Sequence, residues 1–295
     1  MRSRANPIPS VARSDLVVPG SSFYRHVEGG YDLLAPTYDE DVGVNPIGEH
    51  MRGVFRTHLT AVFSRGHKVL EIGCGTGIDA VWLARFGIDV VATDISQEML
   101  KRTEAKADAL GLGHLVHTRR VAASEIGELS EEFGPEAFDG AYCHAGALNM
   151  DPNLRNVPHQ LAILLRRRAL FICSVINKTS LFEILFYLAV LRPRKAFRRL
   201  NRVVPIPISR KDPLNRHVVP TRFYSPAEVE DIFAADFSVV GTQGLQVFLP
   251  PSNLADEYER LKPLFIPLER LEEWFSGHRP VNAWGHHSII TLERS

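Results

Sequence analysis

A run of glycines directly behind an apolar segment is the first feature of this 295-residue chain that could carry chemistry. The stretch VLEIGCGTGID places Glu71 in the apolar run and glycines at positions 73, 75 and 77 behind it. Glycine has no Cβ atom, so a backbone rich in it can turn tightly and approach a ligand closely. About 20 residues further on, Asp94 follows another apolar segment, where a carboxylate can accept hydrogen bonds from both hydroxyls of a ribose. Loop and acid together predict a nucleoside site.

The spacing within the loop discriminates between nucleotide ligands. A dinucleotide loop, G-x-G-x-x-G, requires glycine at position 78, where Ile78 stands. No Gly-Lys-Ser/Thr follows, which excludes a phosphate-binding P-loop. The carboxylate of Glu71 would repel a pyrophosphate but attract an ammonium group. The loop therefore favours a cationic nucleoside that carries an amino acid, a description that fits S-adenosylmethionine.

Elements of a parallel sheet are predicted around these residues. Apolar segments alternate with helical patterns. The first strands are expected at 68–72, at 88–94 and within HLVHTRRVAASEI. The stretch 138–149 supplies a fourth strand, which ends before His144, 169–175 forms a fifth, and FSVVGTQGLQVFLP and HSIITLER hold later ones. Ser96 is placed as the N-cap of the helix that ends near Gly111, and Ser225 as the cap of a later helix with Pro226 at its first position. The pattern predicts an α/β fold, a Rossmann-like three-layer sandwich with a mostly parallel seven-stranded sheet. Ligands of such sheets bind at the carboxyl ends of the strands, where the glycine loop lies.

Changes in composition and in the alternation of strand-like and helical segments divide the chain into four predicted parts. Residues 1–30 are rich in Ser, Pro, Gly and Arg and are expected to form a flexible N-terminal tail. Residues 31–176 would form the cofactor-binding core, and 177–220 a helical cap insertion with a basic segment. Residues 221–295 would complete the sheet and, through 250–280, the cap over the strand ends.

The motifs LEIGCGTGID, ATDIS and FDGAYCHAGALN resemble, in order and spacing, the class I S-adenosylmethionine-dependent methyltransferases. The preceding stretch YDLLAPTYD is similar to the one that leads into many small-molecule members of that family. The resemblance covers roughly residues 31–176. It implies that the loop backbone meets the methionine end of the cofactor, that Glu71 lies near its amino group and that Asp94 holds its ribose. The remaining residues that it places around the cofactor are Tyr38 as a cover, Gly73, Cys74, Gly75 and Gly77 in the loop, and Ile95 and Met99 beside the adenine.

One subsite departs from the family pattern. The family often has an acid after the third strand, which meets the adenine amino group, whereas this chain has Val121-Ala122-Ala123 there. Backbone atoms of Ala123 and Ser124 would still contact the adenine. Glu125 is the candidate to supply the missing acid.

His144 follows the fourth predicted strand, where the transferred methyl group and the acceptor should meet. It could act as a general base for a hydroxyl or amine, or it could merely line the cofactor pocket. Both roles stay open at this stage, because alignment of nucleophile, methyl and sulfur away from water can carry most of the rate.

Composition limits the partners and the compartment. The formal net charge is zero, so no overall field favours nucleic acid. Cys74, Cys143 and Cys173 lie far apart in the sequence, which predicts neither disulfides nor a metal site and favours a reducing, cytoplasmic compartment.

A local basic segment stands out against this neutral background. Between Ile184 and Lys211 there are eight Arg and Lys residues and no acid. The segment could be a solvated helix face, could attract an anionic or amphipathic acceptor, or could contact an acidic membrane surface through 181–202. Few aromatic residues accompany the charges, so no nucleic acid is expected as a partner.

The sequence thus predicts an enzyme that moves a methyl group from S-adenosylmethionine to a small organic acceptor by in-line displacement. Two alternatives remain: a cofactor-binding regulator or scaffold without catalysis, and a nicotinamide-dependent oxidoreductase, which Glu71 and Ile78 disfavour.

Overall fold

The computed structural model describes residues 21–43, 45–201, 203–208, 217–251 and 262–295. Its main sheet contains β1 (Lys68–Ile72), β2 (Asp89–Asp94), β3 (Val116–Arg120), β4 (Phe138–Cys143), β5 (Leu165–Ile176), β8 (Phe237–Leu245) and β9 (His287–Arg294). The strand order is β3-β2-β1-β4-β5-β9-β8, and β9 runs antiparallel to both neighbours. This mostly parallel seven-stranded α/β sheet confirms the predicted fold class.

Helices cover both faces of the sheet and one end of it. They are α1 (Ser21–Leu34), α2 (Tyr38–Gly43), α3 (Pro46–Val62), α4 (Ile78–Ala84), α5 (Gln97–Ala109), α6 (Ser130–Phe133), α7 (Val157–Leu164), α8 (Leu181–Ala189), α9 (Pro193–Ala196), α10 (Pro226–Phe233) and α11 (Lys262–Phe275). A short hairpin, β6 (Val204–Pro207) with β7 (Val218–Thr221), lies between α9 and α10. None of the helices described is long and apolar enough to cross a membrane.

The continuous apolar strands are buried because helices pack on both faces of the sheet. In β1, Val69 packs with Phe55 and Leu59 of α3, whereas Leu70 packs on the opposite face with Leu161 of α7. β1 pairs with β2 on one side and with β4 on the other, so the chain order reverses between β1 and β4. That reversal opens a crevice at the carboxyl ends of these two strands.

Local capping signals in the sequence are confirmed. The Ser96 hydroxyl accepts a hydrogen bond from the Met99 amide at 3.1 Å and starts α5. Ser225 and Glu228 form a reciprocal capping box that starts α10, with Pro226 in its first turn.

The predicted N-terminal tail extends too far into the chain. Residues 21–30 belong to α1, whereas residues 1–20 lie outside the described ranges. Phe23 and Val27 of α1 pack on Val219 of β7, a contact between segments that are distant in sequence. Local composition carries no signal of such a contact.

The cap differs from the prediction in containing the β6–β7 hairpin as well as helices. This hairpin holds α1: the Val218 carbonyl lies 2.8 Å from His26 Nε2, and the His26 carbonyl lies 2.8 Å from His217 Nε2. Residues 209–216 and 252–261 of the two predicted cap segments lie outside the described ranges.

His287, at the start of β9, gives a prediction about acid stability. Burial, together with the nearby positive charge of Arg199, lowers the pKa of His287 to about 3, so the folded chain holds this imidazole neutral. Below about pH 6.5 the unfolded chain binds a proton at His287 and the folded chain does not. The free energy of unfolding therefore decreases as the pH is lowered from about 6.5 to about 3. Between about pH 6.5 and pH 5 the unmodified chain should lose about 1–2 kcal/mol of its free energy of unfolding through His287, and His287→Gln should abolish this loss. Urea denaturation at the two pH values measures it. His159→Gln, at a histidine whose side chain is 77% exposed, serves as the control and should leave the pH slope unchanged; equal slopes for both variants would contradict the assignment.

Candidate functional site

An open cavity of about 960 Å³ lies at the carboxyl ends of β1 and β4. Its floor is the glycine loop after β1 together with the residues that follow β2 and β4. Tyr24, Val27 and Tyr31 of α1 and Tyr38 of α2 add an aromatic-rich wall. Apolar and aromatic side chains line it together with a few polar and charged groups, as is usual for small-molecule sites.

The structure brings most of the predicted cofactor residues together at this cavity. Those that line it are Tyr38, Glu71, Gly73, Cys74, Gly75, Asp94, Ile95, Ala123 and His144. Three others are not among its lining residues. Gly77 faces Thr103, Met99 is packed with Leu34 and Ala35, and the buried Ser124 bonds to neighbouring side chains.

Left-handed backbone shapes the loop, and Asp94 holds it in place. Gly73 and Gly75 have φ angles of 70° and 55°, a region that L-residues with a Cβ atom avoid. Asp94 accepts one hydrogen bond from the Gly75 amide and one from the Ser96 amide, each at 2.9 Å. Asp94 therefore positions the loop as well as facing the cavity, and its remaining acceptor sites are available to a ligand.

Gly73→Ala tests the close approach of the loop. A Cβ atom at Gly73 would lie 2.4 Å from the Cβ of Ala147, so the variant should shift the cavity floor and weaken cofactor binding at least tenfold. The Gly73→Ala/Ala147→Gly double variant removes the clash and leaves about 1 kcal/mol of backbone strain, so it should recover most of the affinity. Calorimetric titration measures both affinities. A double variant as weak as the single one would show that the contact with Ala147 is not the cause.

Glu71 is buried at the end of β1 with one carboxyl oxygen, Oε2, lacking any hydrogen-bond partner. Burial, reinforced by the nearby negative charge of Asp79, raises the pKa of this carboxyl well above its usual value. A buried carboxyl oxygen without a hydrogen-bond partner at a cavity wall is an atom that an incoming ammonium group would satisfy. The geometry is compatible with the predicted role beside an amino group.

Asp151, not Glu125, supplies an acid near the third strand. Glu125 is exposed, whereas Asp151 is 7% exposed and lines the cavity. Asp151 accepts hydrogen bonds from the Ser124 amide at 3.0 Å and from the Tyr24 hydroxyl at 3.1 Å. Burial raises the pKa of Asp151 despite these bonds. The sequence carries no signal for this acid, because Asp151 lies beyond the fourth strand and only the fold brings it back to Ser124.

His144 forms the most elaborate polar arrangement of the cavity, through its contact with Asp79. His144 Nδ1 lies 2.9 Å from Asp79 Oδ2, and the imidazole stacks on Phe55 with ring centres 4.2 Å apart. Asp79 also forms two ion pairs: Arg52 Nη1 lies 2.6 Å from Oδ2, and Arg56 Nε lies 2.9 Å from Oδ1. Burial alone would raise the pKa of Asp79, but the His144 hydrogen bond and both arginines hold it well below its usual range.

An ionised Asp79 fixes the tautomer of His144. The carboxylate can only accept a hydrogen bond, so Nδ1 carries the proton and Nε2 of the neutral ring carries a lone pair. Nε2 is buried and without a hydrogen-bond partner. Asp79 was not singled out in the sequence because it looks like an ordinary acid in the first turn of a helix.

Comparisons with known proteins match the part of the chain that carries the glycine loop. Residues 69–168 match the family model of the methyltransferase domain. A phosphatidylethanolamine N-methyltransferase of Cereibacter sphaeroides is 32% identical over 99 residues, which cover 34% of this chain and 44% of that protein. A ubiquinone biosynthesis O-methyltransferase of Aliivibrio fischeri is 35% identical over 99 residues, which cover 34% of this chain and 37% of its own. The chain thus spans less than half the length of these two relatives.

A solved structure extends the likeness over the whole fold. The 1,6-didemethyltoxoflavin-N1-methyltransferase of Burkholderia thailandensis, with S-adenosylhomocysteine bound, has a TM-score of 0.55 and 15% identity. The likeness covers 98% of this chain and 93% of that one. The matched domain, the sheet order and the glycine loop agree: residues 69–168 are similar to the methyltransferase domain, and the chain has the fold of that solved structure.

Proposed function

We propose that the chain binds S-adenosylmethionine in the 960 Å³ cavity and transfers its methyl group to a small organic acceptor. The residues that line the cavity suit this cofactor. The loop at 73–75 would meet the methionine end, the unpaired Glu71 carboxyl its ammonium group, and Asp94 the ribose hydroxyls. Asp151 and the backbone of Ala123 would hold the adenine. When bound, the cofactor supplies an electrophilic methyl group on a sulfonium centre.

The free Nε2 of His144 is the observation that carries the catalytic part of this proposal. His144 lines the same cavity as the glycine loop, and Asp79 holds its ring in the tautomer whose Nε2 can accept a proton. We infer that Nε2 takes the proton from an acceptor hydroxyl or amine as that atom becomes methylated. Asp79 then stabilises the imidazolium that results, and the stacked Phe55 ring keeps its plane fixed.

Side chains of α1 and α2 would exclude water from the reacting atoms. Tyr24 and Tyr31 are held in place by hydrogen bonds, Tyr24 to Asp151 and Tyr31 to the Met150 sulfur at 2.9 Å. We therefore extend the proposed cofactor-binding core, 31–176, to include α1, and assign 177–220 and 221–295 to the cap and to the rest of the sheet.

The proposed acceptor is anionic or amphipathic. The basic segment lies in the cap insertion, and two relatives are named for the methylation of phosphatidylethanolamine and for ubiquinone biosynthesis. We also propose peripheral membrane contact through 181–202. The three free, buried cysteines support a reducing compartment such as the cytoplasm.

A screen with isotopically labelled methyl donor tests the proposed activity. Acceptors should be offered as matched pairs, each a hydroxyl or amine compound with and without an added carboxylate or phosphate. We expect label in the anionic or amphipathic members, at rates above those of neutral partners. Label in no acceptor, from a chain that binds the cofactor, would favour the non-catalytic alternative.

A further inference from the structure

We propose that an exposed surface of the cap, formed by residues 185–200 and called here the cap tip, docks onto an anionic lipid membrane. This inference deepens the membrane contact proposed above for 181–202: it names the docking surface and the charge of the lipid, and lipid binding needs neither cofactor nor acceptor. It rests on an inverted distribution of polar and apolar side chains.

The helix α8 has its charge inside and its leucines outside. Its single charged residue, Glu183, is buried, as is Tyr187 one turn later. On the opposite side, Leu185 and Leu188 are 59% and 41% exposed. An ordinary surface helix buries its apolar face, so this helix is built to present apolar side chains to something other than water.

The segment after α8 repeats the same inversion. Arg199 is buried and binds Glu183, with Nε 2.7 Å from Oε2, and it also donates to the Asn177 carbonyl at 2.8 Å. Meanwhile Phe197 and Leu200 on either side are exposed. The buried ion pair thus anchors the cap tip to the core and turns its apolar residues outward.

Among the large apolar residues that the structure describes, Leu191 is the most exposed, and it lies at the turn between α8 and α9. Leu191 is 87% exposed and has a left-handed φ of 56°, which projects it from the surface. Arg192, Arg194 and Lys195 follow and are exposed. No carboxylate of the described residues pairs with these three cations.

An exposed leucine beside exposed cations that no described carboxylate pairs matches the chemistry of an anionic bilayer interface. Apolar side chains enter the boundary between headgroups and acyl chains, while Arg and Lys bind the anionic headgroups. Nucleic acid would leave the leucines in water. The cations would repel each other across an interface between two copies of this chain.

Vesicle flotation of the full chain tests this proposal. Vesicles of phosphatidylcholine alone are compared with vesicles containing equal amounts of phosphatidylcholine and phosphatidylglycerol, in low and high salt. We expect binding to the anionic vesicles that weakens with salt, and a loss of about tenfold in partition for each leucine removed in Leu188→Gln/Leu191→Gln. Leu110→Gln, at an exposed leucine beyond α5, is the matched control and should bind as the unmodified chain does.

Three outcomes would overturn the proposal. They are failure of the unmodified chain to bind anionic vesicles, equal losses in the test and control variants, and a dimer in solution that Leu188→Gln/Leu191→Gln dissociates. Thermal unfolding of each variant confirms that exposed substitutions leave the fold intact. Vesicle binding without methyl transfer would sink the proposed reaction and leave this inference standing.

Discussion

Replacing His144 with glutamine is expected to lower kcat by about 100- to 10,000-fold for any hydroxyl or amine acceptor that the unmodified chain methylates. The acceptor would lose the only route for its proton that the His144–Asp79 geometry provides. Glutamine has no basic nitrogen, but it fills a similar volume against Phe55. Cofactor affinity should change by less than about threefold, because Glu71, Asp94 and Asp151 remain.

The control for this rate measurement is His50→Gln, at an exposed histidine of α3. It should leave kcat unchanged. If His144→Gln retains full activity, then alignment of the reactants carries the rate and His144 only lines the cavity.

Replacing Asp79 with asparagine should reduce the free energy of unfolding by about 3–5 kcal/mol. Asp79 is 3% exposed and balances Arg52, which is also buried, as well as Arg56 and the His144 ring. Asparagine removes the negative charge and leaves the buried Arg52 guanidinium without a counter-ion. The same change releases the His144 tautomer, so kcat should fall as well.

Asp39→Asn is the matched control for this stability measurement. Asp39 also pairs with a cation, Lys106 at 2.8 Å, but its side chain is 49% exposed. Water screens this pair, so its loss should cost less than about 1 kcal/mol. Denaturant titration gives both values, and a cost for Asp79→Asn as small as that of the control would show that the buried cluster is not held by its charge.

Features set by local sequence were predicted well. The strands of the main sheet, the caps at Ser96 and Ser225 and the left-handed glycines follow from short-range patterns, and the structure contains all of them. Strand spacing also placed Asp94 and His144 at the carboxyl edge, since parallel strands end at one edge of a sheet.

Features set by long-range contacts were missed. Asp79 and His144 are 65 residues apart, and Tyr24 and Asp151 are 127 apart, so no local pattern links them. For the same reason the sequence predicts a tail where α1 begins. The contacts that hold α1 are long-range: it packs on the hairpin of the cap and lines the cavity. Met99 satisfied the family pattern, but its side chain packs inward on Leu34.

Isothermal titration calorimetry with S-adenosylhomocysteine and, separately, with NADH tests the central claim most directly. The cavity predicts one S-adenosylhomocysteine per chain, with a Kd on the order of micromolar, and no measurable heat with NADH. Gly73→Ala should abolish or greatly weaken the first signal. No binding of S-adenosylhomocysteine at millimolar concentration, or tighter binding of NADH, would contradict the assignment of this cavity to the methyl donor.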